Sequence, residues 1–153
     1  MTKFVLIDNE HQLHKCEGDW EHELGPEGPA QVVLHPGVRM TGFVNDCGFS
    51  LPDRYPRNLV GALMVINLGA VFRPLAGPLV ITGWNTAGCG SEIRDLSGDD
   101  IETLAELHHD LTAVLDGTFK GTFSGATWWR DLVLRKAAEL RAASTPSLVV
   151  RDL

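Results

Sequence analysis

Four side chains of the types that bind zinc lie within twelve residues near the start of the chain: His11, His14, Cys16 and His22. Imidazole and thiolate are the usual ligands of a tetrahedral zinc centre. A structural site normally shows two tight ligand pairs around a spacer, and His-x2-His-x-Cys-x5-His does not follow that pattern. Alternation along a strand puts His14 and Cys16 on one face and His11 at a turn. Polar residues on an exposed hairpin are the plainer reading, so no metal and no cofactor is expected.

A second constellation is a thiol. Cys89 sits in Ala87-Gly88-Cys89-Gly90-Ser91, where glycines expose it, and His109 about twenty residues on could act as its base. A catalytic cysteine needs its thiolate stabilised by a base or a helix N-terminus. The acids that follow, Glu92, Asp95, Asp99 and Asp100, would instead raise a nearby thiol pKa. The same loop offers Gly83, Trp84, Asn85, Gly88 and Gly90 as a ligand cradle. Neither this loop nor Gly117–Gly125 carries a P-loop ending or a dinucleotide-binding glycine pattern. His108 falls on an apolar stripe, where a hydrogen-bonded packing histidine is the ordinary case.

Trp128 and Trp129 are adjacent on a helical pattern and point about 100° apart. Trp129 heads the apolar row Trp129, Val133, Ala137, Leu140 and belongs to the core. Trp128, with Arg135, is then the exposed pair to which another protein could bind, since tryptophan is enriched at interface hot spots.

The elements that hold these residues follow from pattern and punctuation. The 153 residues fit a single globular domain, and 44% apolar content can fill its core. Residues 4–7 and 13–17 read as strands of a hairpin, and 18–30 as an acidic Gly/Pro loop with Trp20 and Leu24 pinned inward. Residues 31–34 and 38–44 read as strands around His35-Pro36-Gly37, and 49–51 as a third strand completing a meander. Asn58 caps a buried helix over 59–68, and 79–82 is a buried strand. Ser97 caps a helix whose stripe is Ile101, Leu104, His108, Leu111 and Leu115. A last helix spans about 127–143, and 148–150 adds a possible final strand. The expected fold is α+β, an antiparallel sheet of hairpins and a meander packed against two to three helices.

Charge narrows the function classes. The net charge is −7, with −6 in residues 8–27 and −7 in residues 95–116. Nucleic acid, which rewards clustered Lys and Arg, is not an expected partner. No run reaches the ~18 apolar residues of a membrane span. Three widely spaced cysteines and a strand-like start without a leader pattern point to a reducing, cytoplasmic setting.

Four stretches form an ordered series: Phe43-Val44-Asn45-Asp46-Cys47-Gly48-Phe49-Ser50-Leu51-Pro52, Pro56-Arg57-Asn58, Leu75-Ala76-Gly77-Pro78-Leu79-Val80-Ile81-Thr82-Gly83, and Asp95-Leu96-Ser97-Gly98-Asp99-Asp100-Ile101. Across about residues 40–110 the chain resembles an uncharacterised family of small phage, plasmid and bacterial proteins. That family has a short helix after its first hairpin, where this chain has the acidic loop. The resemblance implies a cytoplasmic protein carried on a mobile element and assigns no site residue. The sequence thus favours a non-catalytic accessory or regulatory protein that binds another protein. The alternative is a small-molecule binder or small enzyme using the Gly83–Ser91 loop with Cys89 and a histidine.

Overall fold

Alternation in β1 (Thr2–Ile7) sends Val5 and Ile7 to one side of a sheet and Phe4 to the other, and all three are buried. β2 (Leu13–Gly18) pairs with it antiparallel, Phe4 opposite Cys16 and Leu6 opposite His14. The computed structural model describes residues 2–85 and 92–144. Within them, β3 (Pro29–Val32) and β4 (Met40–Asn45) form a second hairpin, and β5 (Leu79–Asn85) lies between β4 and β1. The order is β2-β1-β5-β4-β3, every pair antiparallel. A short β6 (Glu92–Arg94) pairs with the end of β5 beyond the reach of β1. The next residues tie it to β1, with the Leu96 amide donating to the Lys3 carbonyl at 3.0 Å.

Three helices complete the α+β fold. α1 (Leu59–Asn67) is apolar almost all round, and Val60 to Val65 are buried. It packs against both α2 (Gly98–Asp116) and α3 (Ala126–Ser144). Their apolar rows, Leu104, Leu111 and Val114 on α2 and Val133, Ala137 and Leu140 on α3, join Val5, Ile7, Leu79 and Ile81 in the main core. Each Leu, Ile or Val among them contributes about 1.5–3 kcal/mol by leaving water. Ser97 caps α2 by accepting from the Asp100 amide, and Gly117 closes it at φ 82°. Among the described residues no helix is long and apolar enough to cross a membrane.

The other sheet face carries a smaller core of Phe4, Trp20, Leu24, Phe43 and Val80. Its lid is a 3-10 turn over Trp20–Leu24 inside the stretch expected to be loop, nucleated by the Asp19 carboxylate accepting from the Glu21 amide. Trp20 and Leu24 are pinned inward as expected. The third strand of the expected meander is absent. Gly48–Ser50 is a 3-10 turn, and β4 finds β5 as its neighbour instead. Gly48 is close enough to the Ala76 carbonyl that a Cβ there would meet its oxygen at 2.9 Å, so the chain turns across the sheet end rather than along it. The expected strand at 148–150 lies outside the described residues.

Candidate functional site

Where β3 ends, β4 begins and β5 ends, the chain surrounds a cavity of about 440 Å³. Its polar lining is Gln31, His35, Arg39, Thr41, Trp84, Asn85 and Arg94, and Val33, Leu34, Pro36 and Met40 supply the apolar wall. The β3–β4 connection builds one side. Leu34 and Met40 are buried at its two ends and fix the loop between them. The His35 amide donates to the Leu68 carbonyl at 2.9 Å, docking the loop on the end of α1. Gly69, at φ 97°, lies against His35, where any Cβ would come within 2.6 Å of the His35 Cβ. His35 Nδ1 accepts from the Gly37 amide at 3.0 Å, so the neutral ring carries its proton on Nε2.

Arg39 follows in left-handed backbone, φ 53° and ψ 33°, a conformation that costs a residue with a Cβ about 1–2 kcal/mol. Its carbonyl accepts from the Trp84 amide at 2.9 Å, which ties the loop to β5. Gln31 Nε2 donates to Thr41 Oγ1 at 2.9 Å, and Thr41 Oγ1 donates to the Val32 carbonyl at 3.3 Å. Arg94 enters from β6, opposite Gly83. Among the described residues no acid lines the cavity, and neither Arg39 nor Arg94 has an ion-pair or hydrogen-bond partner for its guanidinium.

The residues singled out in the sequence are scattered by the fold. Trp84 and Asn85 line the cavity, and Gly83 is buried in β5 behind them. A Cβ on Gly83 would meet the Asp95 carbonyl oxygen at 2.5 Å, so its role is to let β6 close on β5. Gly88, Cys89 and Gly90 lie outside the described residues. His109 is exposed on α2, its Nδ1 3.6 Å from Asp110, and takes no part in the cavity. Trp128 and Arg135 are exposed on α3.

His11, His14, Cys16 and His22 are employed separately. His14 Nε2 lies 2.6 Å from Asp8 Oδ2. Burial alone would raise the Asp8 pKa. The His14 contact and the Gln12 and Glu10 amides outweigh it and hold the carboxyl below its ordinary value. His11, at φ 66°, sets its Nδ1 3.3 Å from Asn58 Oδ1, and its carbonyl accepts from His108 Nε2 at 2.7 Å. His108 is thus a hydrogen-bonded packing residue. Burial, with the Glu23 carboxylate, pushes the Cys16 thiol up and away from thiolate. His22 is exposed on the 3-10 turn. Among the described residues no group of three or more His, Cys, Asp or Glu is placed to hold a metal.

Sequence reasoning missed His35, Arg39 and Arg94. The single available signal was an arginine beside a Pro-Gly turn in an acidic chain, and nothing local connected it to an arginine 55 positions later. No family model, curated protein or solved structure matches the chain.

Proposed function

We propose that this chain is a small-molecule-binding protein whose ligand sits in the cavity between the β3–β4 connection and Trp84, Asn85 and Arg94. The observation that carries this reading is the cavity's composition. An indole, two amides, an imidazole and two unpaired guanidinium groups converge on one concavity with an apolar wall. That mixture of apolar surface and a few convergent polar groups is the usual make-up of a ligand site. The Thr41 hydroxyl is held between Gln31 and Val32, and among the described residues no other hydroxyl or thiol lines the cavity, which supports a binding site. Native mass spectrometry of the untagged protein, purified without added ligand, tests it. A bound small molecule that Trp84→Ala releases supports the cavity. A bound molecule retained by that variant, or a bare mass together with no thermal shift across a metabolite panel, refutes it.

A second reading is favoured by Trp128, which stands 69% exposed on α3. In it the protein is a non-catalytic accessory or regulatory factor, carried on a mobile element as the family resemblance implies, that binds another protein through Trp128 and Arg135. Capture of one partner by the wild type and by Cys89→Ser and His109→Ala, but not by Trp128→Ala, supports it. Equal capture by Trp128→Ala removes it.

A further inference from the structure

Resting on the cavity reading, we infer that the ligand is an anion bearing a flat ring, its carboxylate or phosphate held by Arg39 and Arg94 and its ring lying against Trp84.

Elsewhere in the described structure Lys15, Arg54 and Arg130 each lie beside a carboxylate, Glu102, Glu27 and Asp131 respectively. Arg57 lies over the Phe49 ring and donates to the Phe49 carbonyl at 3.1 Å. Among the described residues Arg39 and Arg94 have no such partner, as Lys3, Arg73, Lys120, Arg135 and Lys136 have none, although the chain carries 20 acids against 13 Lys and Arg. Arg39 and Arg94 come from segments far apart in sequence and line one concavity whose described lining residues include no acid. Both residues are exposed, and an oxyanion placed between two like charges is attracted by both. Guanidinium forks also match the geometry of carboxylate and phosphate oxygens, which a lysine ammonium does not.

Arg39 occupies a left-handed conformation that glycine or asparagine would adopt at lower cost. The Trp84 amide bonded to its carbonyl fixes that conformation relative to the cavity wall. Strained backbone held in place by its surroundings is typical of functional positions. On the opposite side, the absent side chain at Gly83 lets the Arg94 and Asp95 carbonyls approach, which seats β6 and brings Arg94 to the cavity.

Trp84 is half-buried and shares the cavity lining with the amides of Gln31 and Asn85. An indole face takes a planar partner in offset stacking, and amides supply hydrogen bonds at a ring edge. The volume lies toward the lower end of the roughly 300–1,000 Å³ range of ligand cavities, so the molecule is of metabolite size.

The test is calorimetric titration of the full chain with named probes. Adenosine 5′-monophosphate and naphthalene-2-carboxylate are the ring anions. Adenosine and naphthalene-2-carboxamide are their neutral counterparts, and inorganic phosphate is the anion without a ring. At least one ring anion is expected to bind with Kd below about 100 µM, and its neutral counterpart and inorganic phosphate each about tenfold or more weaker. Arg94→Gln and Arg39→Gly should each weaken the ring anion about tenfold or more, Arg94→Lys should restore part of the loss, and Lys120→Gln, an exposed cation away from the cavity, should change nothing. Thermal melts of each variant establish that it is folded before titration. Neutral counterparts that bind as tightly, or arginine variants that bind like wild type, overturn the anion. If Trp84→Ala still abolishes that binding, the cavity itself stands. Binding indifferent to Trp84 and both arginines overturns the cavity as well. Failure of every probe at about 1 mM overturns the inference, and the mass measurement above then decides the cavity on its own.

Discussion

The backbone amide of Trp84 donates to the carbonyl of Arg39 at 2.9 Å, and both side chains line the same cavity. This hydrogen bond couples the end of β5 to a loop already anchored by buried Leu34 and Met40 and by the His35 amide on Leu68. It also holds Arg39 in left-handed backbone.

That backbone gives a test that separates folding from binding. Glycine at position 39 relieves about 1–2 kcal/mol of left-handed strain and gives back about 0.5–1 kcal/mol in chain entropy. Arg39→Gly should therefore unfold in urea within about 1 kcal/mol of wild type. Arg39→Val, β-branched and poorly tolerated at φ 53°, should lose at least about 1 kcal/mol. Equal losses in both variants would show that the guanidinium, not the backbone, holds the loop.

Asn58 is the buried junction of three segments. Its Oδ1 accepts from the Gly61 amide at 2.8 Å, capping α1. Its Nδ2 donates to the Gly77 carbonyl at 2.9 Å and the Ile7 carbonyl at 3.4 Å. Asn58→Ala loses the cap, about 1 kcal/mol, and strands two buried carbonyls at about 1–3 kcal/mol for the donor they share. A loss near 3 kcal/mol in urea unfolding is expected. Asn58→Asp keeps the cap but turns a second oxygen toward those carbonyls, and at neutral pH should fare no better than alanine. A variant within 1 kcal/mol of wild type would mean that water replaces the amide.

The adjacent tryptophans should behave as opposites. Trp129 Nε1 donates to Asn67 Oδ1 at 3.0 Å, and its ring lies 5.5 Å from Phe119 and 6.3 Å from Phe123. Phe119 and Phe123 thus form an aromatic clasp on α3. Trp129→Ala should cost about 3 kcal/mol, in the range of large aromatic truncations. Trp128→Ala should stay within about 0.5 kcal/mol, since its side chain stands in solvent. Thermal unfolding of the two variants side by side decides it, and matching shifts would place Trp128 in the fold's support.

These contrasts mark what was legible in the sequence. Asn58, Ser97 and Gly117 are local signals, a side chain or a positive φ acting within a few residues, and each does what its type suggests. The α2 and α3 rows were legible for the same reason, since a period of 3.6 is written in the chain itself. β6 was not, because three residues are too few to show alternation and its pairing depends on Gly83 being bare. Nor was the turn at Gly48–Ser50, whose course is set by contact with Ala76. The cavity was half legible. Trp84 and Asn85 stood out beside their glycines, whereas His35, Arg39 and Arg94 acquire their meaning only from strand order.

A last expectation concerns pH. Glu27 Oε1 accepts from Tyr55 Oη at 2.6 Å and from Asn45 Nδ2 at 2.9 Å, while Oε2 lies 3.0 Å from Arg54. The Tyr55 and Asn45 bonds, with Arg54 adding, hold the Glu27 carboxyl below its ordinary 4.5. The same contact, together with burial, raises the Tyr55 phenol above 10.0. A lowered acid favours the folded state when ionised. Its contribution is complete above 4.5 and disappears as pH falls through the lower folded value. A raised phenol works in reverse, contributing fully below 10.0 and losing its effect as pH climbs through the higher folded value. Both effects are intact between those limits, where the knot ties residues 24–28 to the end of β4 and to Tyr55. Glu27→Gln should flatten the acid limb of a stability profile and lower its plateau, and Tyr55→Phe should flatten the alkaline limb. Unfolding midpoints from pH 3 to 11 for the three proteins measure this, and an unchanged acid limb in Glu27→Gln would assign acid sensitivity to another carboxylate, of which Asp8 beside His14 is the next to replace.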